Sequence, residues 1–110
     1  MVFNILIHNT DDHLRNHGFF IAPDGIRLSP AYDVNPSVER RELSLAINEV
    51  ETACDVSIAM DAYKDYGLSA GDTARVLSDV RSAVVEWRSM ANLLGIPASE
   101  QALMAGAFGA

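Results

Sequence analysis

The chain reads as one mainly α-helical domain with a single short β-hairpin in its first third. Three observations predict this. From Asp55 onward, apolar residues recur every third or fourth position, the spacing of helices that bury one face. Capping residues bracket those runs, with Asp55 and Ser69 at starts and Gly67 and Gly95 at stops. Near the front, two short apolar runs flank Pro23-Asp24-Gly25, where proline pre-sets the turn and glycine tolerates its exit.

Taken in order, residues 2–8 are apolar enough for either a buried helix or a strand, and periodicity does not choose between them. Residues 9–17 are rich in Asn, Asp and His and read as a loop. Residues 18–21 and 26–28 form the two arms of the hairpin. Residues 29–41 hold Pro30, Pro36 and scattered charges, so they read as a second loop. Leu43, Leu45 and Ile47 alternate with Ser44 and Ala46, which predicts one more short strand. Asp55 then opens a helix with Val56, Ala59, Met60 and Tyr63 on one face. Ser69 with Asp72 forms a capping box for the longest helix. Its stripe of Val76, Leu77, Val80, Ala83, Val84, Trp87, Ala91 and Leu94 predicts packing into the core rather than a groove for a partner. Gly95 and Pro97 end it, and Ser99 can cap a last short helix with Leu103, Met104 and Phe108.

Length and charge narrow the function. The 110 residues fit one domain, spanning 1–110. A net charge of −7 disfavours direct binding to nucleic acid, which depends on basic side chains neutralising phosphates. Lys64 is the one lysine among eight basic residues. Cys54 has no partner in the chain for a disulfide, and nothing basic beside it in sequence to activate its thiol. The apolar opening lacks a basic flank and is too short for a signal peptide or membrane span. A soluble cytoplasmic protein is expected.

The chemistry is concentrated in residues 9–16, Asn-Thr-Asp-Asp-His-Leu-Arg-Asn, and in Tyr32-Asp33. Asp11 and Asn16 have the Asp-x-x-x-x-Asn spacing by which phosphoryl-transfer enzymes set a proton acceptor beside a magnesium ligand. Asp33, returned by the hairpin, can supply a second ligand; magnesium favours such oxygen donors. Alone, the spacing is weak evidence, because Asp and Asn are common in turns that merely satisfy their own backbone.

The longer string is more specific. Phe3-Asn4-Ile5-Leu6-Ile7, then residues 9–19, then Arg27-Leu28-Ser29-Pro30-Ala31-Tyr32-Asp33, resemble the catalytic region of the HipA-like toxin kinases. These are bacterial serine/threonine protein kinases usually encoded beside a DNA-binding antitoxin. The resemblance covers about residues 3–36 specifically and the helical remainder loosely. It implies a kinase C-lobe with a hairpin after the catalytic loop and three C-terminal helices. It also implies Asp11 as the catalytic aspartate, Asn16 and Asp33 as metal ligands, and His13 and Arg15 in support, with His13 fixing the loop by hydrogen bonding. Mg2+ and ATP are the implied cofactors of the intact enzyme, a protein the implied substrate, and a helix-turn-helix antitoxin or an N-lobe-bearing protein the implied partner. Two positions depart from the family pattern. Arg15 stands where lysine is usual, and His8 stands where a small residue, often glycine, is usual.

Kinases carry a Gly-rich phosphate loop and an ATP-anchoring lysine ahead of the catalytic loop. Here eight residues precede Asn9 and the one lysine lies downstream. The expectation is therefore a C-lobe without its N-lobe, inactive alone, with part of the apolar surface of residues 2–7 bare and inviting self-association. Two other classes remain open. One is a non-catalytic module that binds an antitoxin or sibling protein. The other is a metallohydrolase using His8, His13, His17, Asp11 and Asp12, although their spacing matches no familiar zinc signature.

Overall fold

The computed structural model describes residues 1–108. Helix α1 (Val2–Leu6) leads into the Asn/Asp loop, which holds one 3-10 turn at Leu14–Asn16. Strands β1 (Phe19–Ala22) and β2 (Gly25–Leu28) form the hairpin, in register Phe19–Leu28 and Ile21–Ile26. A long irregular stretch follows, then α2 (Val56–Asp61), α3 (Ala70–Val85), α4 (Trp87–Leu93) and α5 (Ala98–Met104). The mainly helical class with one hairpin holds.

The core gathers around α1. Ile5, Leu6 and Ile7 are buried, and they pack with Leu43, Ile47, Val56, Ala59 and Val84. Residues 5–7 are covered, while Phe3 on the same helix stays exposed, so the opening apolar segment is bare in part, as expected. Further exposed apolar surface lies on the hairpin. Phe19, Ile21, Ile26 and Leu28 share one face of the hairpin and are all exposed.

The ambiguity at residues 2–8 resolves as helix because the chain closes it with a Schellman motif, in which a left-handed residue just past the helix turns the next amides back onto its last carbonyls. The amide of His8 donates to the Ile5 carbonyl (3.1 Å) and that of Asn9 to the Asn4 carbonyl (2.8 Å). The same pair of bonds recurs at Gly67 and Leu68, and at Gly95 and Ile96. In those two cases the left-handed residue is glycine, with φ of +67° and +72°. In α1 it is His8, at φ +48°. A side chain there costs about 1–2 kcal/mol.

Two of the three predicted N-caps form. Asp55 accepts the Ser57 amide and Ser69 the Asp72 amide. The Ser57 hydroxyl, and after it the Ser57 amide, hold the exposed Asp55 carboxyl below its ordinary range. The folded state therefore favours the ionised form. That stabilisation is present above the unfolded carboxyl value and is lost as pH falls through the lower folded one. An acid titration followed by NMR should show the Ser57 amide signal moving below pH 3.8 rather than at it.

Three expectations need correction. Residues 43–47 form no strand. One β-bridge, Glu42 to Ala53, and the Ile47 amide on the Glu51 carbonyl join the two sides of a loop whose tip is closed by the Asn48 side chain accepting from the Val50 and Glu51 amides. Leu43 and Ile47 are buried because this loop folds onto α1, so their alternation reflects anchoring rather than sheet. The long helix breaks at Glu86, and the break lays Trp87 flat on Phe108 with ring centroids 4.4 Å apart. Val76, Ala83 and Leu94 lie on exposed surface, leaving Thr73, Leu77, Val80, Val84 and Ala91 as the inward stripe. Finally, α5 is preceded by Pro97 at its N-cap, with Ser99 inside the helix.

Candidate functional site

The loop between α1 and the hairpin is built on a polar network below its surface. Asp12, nearly buried, accepts from the Asn4 amide group (2.6 Å) through one oxygen and from His17 Nε2 (2.8 Å) through the other. Asn9, also buried, donates to Asn4 Oδ1 (3.2 Å). One side chain from α1 therefore anchors both ends of the loop, Asn9 directly and His17 through Asp12. A carboxylate out of water needs such donors, since an unmet charge costs several kcal/mol.

Above that network the predicted residues are differently disposed. Asp11 is exposed, and its backbone carbonyl accepts from the Asn16 amide group (3.3 Å). The five-residue step thus does turn Asn16 back to Asp11. Because the Asn16 nitrogen is used in that bond, its oxygen remains as an acceptor for a cation. Asp33 is exposed and left-handed at φ +54°. Its Oδ1 accepts from Asn35 (2.9 Å). The Tyr32 hydroxyl donates to the Arg15 carbonyl (2.8 Å), which ties the neighbour of Asp33 to the neighbour of Asn16. His8 and Asp33 are the two non-glycine residues with positive φ among those described, and they flank the two strands of chain that meet here. Backbone strain of this kind is characteristic of functional segments.

The supporting residues act otherwise than expected. Arg15 contributes its carbonyl to Tyr32, while its guanidinium approaches His13 Nε2 only at 3.5 Å. His13 Nδ1 is buried without a hydrogen-bond partner among the described residues. The loop-fixing task expected of His13 falls to Asp12, His17 and Asn4. The signal for that network was Asn4, an amide inside an otherwise apolar run.

The segment after Asp33 doubles back along the loop. Ser44 donates to the Thr10 carbonyl from both its amide (3.1 Å) and its hydroxyl (2.7 Å). Gly18 is constrained where the loop enters the hairpin, since a Cβ there would sit 2.9 Å from Ser29 Oγ. A cavity of about 170 Å³ opens beside the loop, lined by Asn9, Asp12, Asn16, Tyr32, Phe3 and Leu28 among others. Asp11 and Asp33 do not line it, so the cavity and the exposed carboxylates are different surfaces of the same loop.

The donor set fits magnesium in kind: a carboxylate from Asp33 and an amide oxygen from Asn16, both hard oxygen ligands. It does not fit the alternative transition-metal cluster. Both ring nitrogens of His8 are engaged, with Ala107 and Arg41, and His17 is bonded to Asp12. Among the described residues no three His, Cys, Asp or Glu side chains form a group that could hold a metal ion. Burial pushes the Cys54 thiol up, with Arg41 pulling the other way, so it is no activated nucleophile. Among the described residues no helix is long and apolar enough to cross a membrane.

Neither a curated protein nor a solved structure matches the chain significantly. The sequence profile of the HipA-like C-terminal domain does match, from residue 1 to residue 104. With nearly the whole length covered, the chain belongs to the HipA-like C-terminal domain family.

Proposed function

We propose that this chain is the catalytic-lobe portion of a HipA-like serine/threonine protein kinase, whose intact form transfers the γ-phosphoryl group of ATP to a protein hydroxyl. The observation that carries the reading is the Tyr32-to-Arg15 bond, because it draws the Asp33 segment against the loop of Asp11 and Asn16. Asp11 orients the attacking hydroxyl and takes its proton, the new oxygen–phosphorus bond forms, and ADP leaves. Asn16 and Asp33 are the residues that would hold magnesium. When bound, that ion neutralises charge on the phosphates, the main demand of such a transfer.

ATP-holding elements must then come from an N-lobe, in the same polypeptide or on a partner. The expected result is no ATP turnover by these 110 residues alone and magnesium-dependent phosphorylation of a protein substrate once a matched N-lobe is supplied. Radiolabelled phosphate transfer checks both halves, and absence of transfer in the reconstituted protein rejects the reading.

A non-catalytic docking role is the second reading, and the exposed apolar face of the hairpin favours it. Here a helix-turn-helix antitoxin or a sibling protein would be held. Stable capture of such a protein through the hairpin, with no transfer after N-lobe restoration, would select this reading over the first.

A further inference from the structure

His8 occupies a position that the chain elsewhere gives to glycine. Three turns close with the same pair of amide bonds, and Gly67 and Gly95 supply the left-handed residue in two of them. The third, entering the loop of Asp11, uses a buried imidazole. A side chain kept against its backbone preference calls for a use, and the ring has one.

Arg41 can only donate, so His8 Nε2 accepts from its guanidinium (2.9 Å). The proton of the neutral ring therefore sits on Nδ1, which donates to the Ala107 carbonyl (2.8 Å). The His8 carbonyl also accepts the Ser37 amide (3.1 Å). Two residues on, Thr10 takes both bonds from Ser44. The residues just ahead of Asp11 are thus fastened to the stretch just after Asp33 and to the last described turn of the chain.

We propose that His8 is a positioning residue: its imidazole pins the entry of the Asp11 loop to Arg41 and Ala107, and so sets the separation of that loop from the Asp33 segment. The kinetic half of this proposal rests on the phosphoryl-transfer reading above; the structural half does not.

Two variants separate ring from backbone. His8→Gly suits the left-handed turn but removes the ring. His8→Gln keeps a donor and an acceptor at similar backbone cost. In the 110-residue chain, hydrogen exchange of the amides of residues 9–16 should quicken about tenfold in His8→Gly, the scale of losing hydrogen bonds to the ring. Exchange at Val84 in the core should stay unchanged, and His8→Gln should restore most of the protection. Arg41→Met, which removes one partner and leaves His8 in place, should quicken the same amides. Unchanged exchange at residues 9–16 in His8→Gly overturns the proposal. So does equal acceleration at Val84, which would make His8 a general stability element. In the reconstituted kinase, His8→Gly should lower kcat about tenfold while KM for ATP stays within about twofold, again recovered by His8→Gln. An unchanged kcat beside altered exchange would deny the positioning role alone. No transfer even by the unmutated reconstituted protein would instead reject the kinase reading and leave the pin standing.

Discussion

Asp11→Ala is expected to reduce phosphoryl transfer by the reconstituted kinase about 10²- to 10⁴-fold, the usual contribution of a positioned proton acceptor. It should leave the thermal midpoint of the chain where it was. Asp11 is exposed, and only its backbone carbonyl, retained in alanine, holds Asn16. Asp33→Ala should give a comparable loss with a raised magnesium requirement, since the carboxylate ligand of the proposed mechanism goes while the Tyr32 tether to Arg15 survives. Initial rates against magnesium concentration measure both. Full activity in either variant would remove that aspartate from the mechanism.

The adjacent residue should behave in the opposite sense. Asp12→Ala strips two bonds at once, leaving the Asn4 amide and His17 without their acceptor beneath the loop. The buried Asn4 amide so abandoned costs about 1–3 kcal/mol and the partly exposed His17 less, for a total near 2–4 kcal/mol. On a domain of this size that lowers Tm by roughly 10 °C. Asp12→Asn should cost less, because an amide oxygen can still accept from Asn4. Calorimetry of the pair, beside Asp11→Ala, tests whether two neighbouring aspartates are divided between chemistry and architecture. A Tm for Asp12→Ala equal to that of the unmodified chain would show the network to be incidental.

Local chemistry was the part of this fold legible in the sequence. Asp55, Ser69 with Asp72, Gly67 and Gly95 mark helix ends because each acts within a few residues of itself. Pro23-Asp24-Gly25 marks the hairpin for the same reason. Features decided by distant neighbours were misread or hidden. Leu43 and Ile47 alternate like a strand, yet their burial comes from α1, nearly forty residues away. The break at Glu86 goes with the stacking of Trp87 on Phe108, a contact between the start of α4 and the segment after α5. In the site, spacing foretold that Asn16 turns back to Asp11, and the hairpin foretold the return of the Asp33 segment. It could not foretell that Asp12, rather than His13, secures the loop, because Asn4, Asp12 and His17 share no periodicity. The glycine-like setting of His8 was visible as a departure from the family pattern; the partners of its ring were not.

The shortness of α1 governs the order in which this molecule can assemble. Five residues cannot sustain a helix in water, where about 12–15 are needed even for favourable sequences. Its stability is borrowed from α3, whose residues Leu77, Val80 and Val84 meet it in the core. On the ribosome, α1 emerges ahead of α3, which follows only on the order of several seconds later, at ordinary elongation rates. Through that interval the nascent segment Ile5-Leu6-Ile7 has only Leu43, Ile47, Val56 and Ala59 to close upon, without the α3 side of its core. A ribosome-bound chain stopped before residue 70 should therefore be chaperone-bound and protease-sensitive, and one released past residue 94 should be neither.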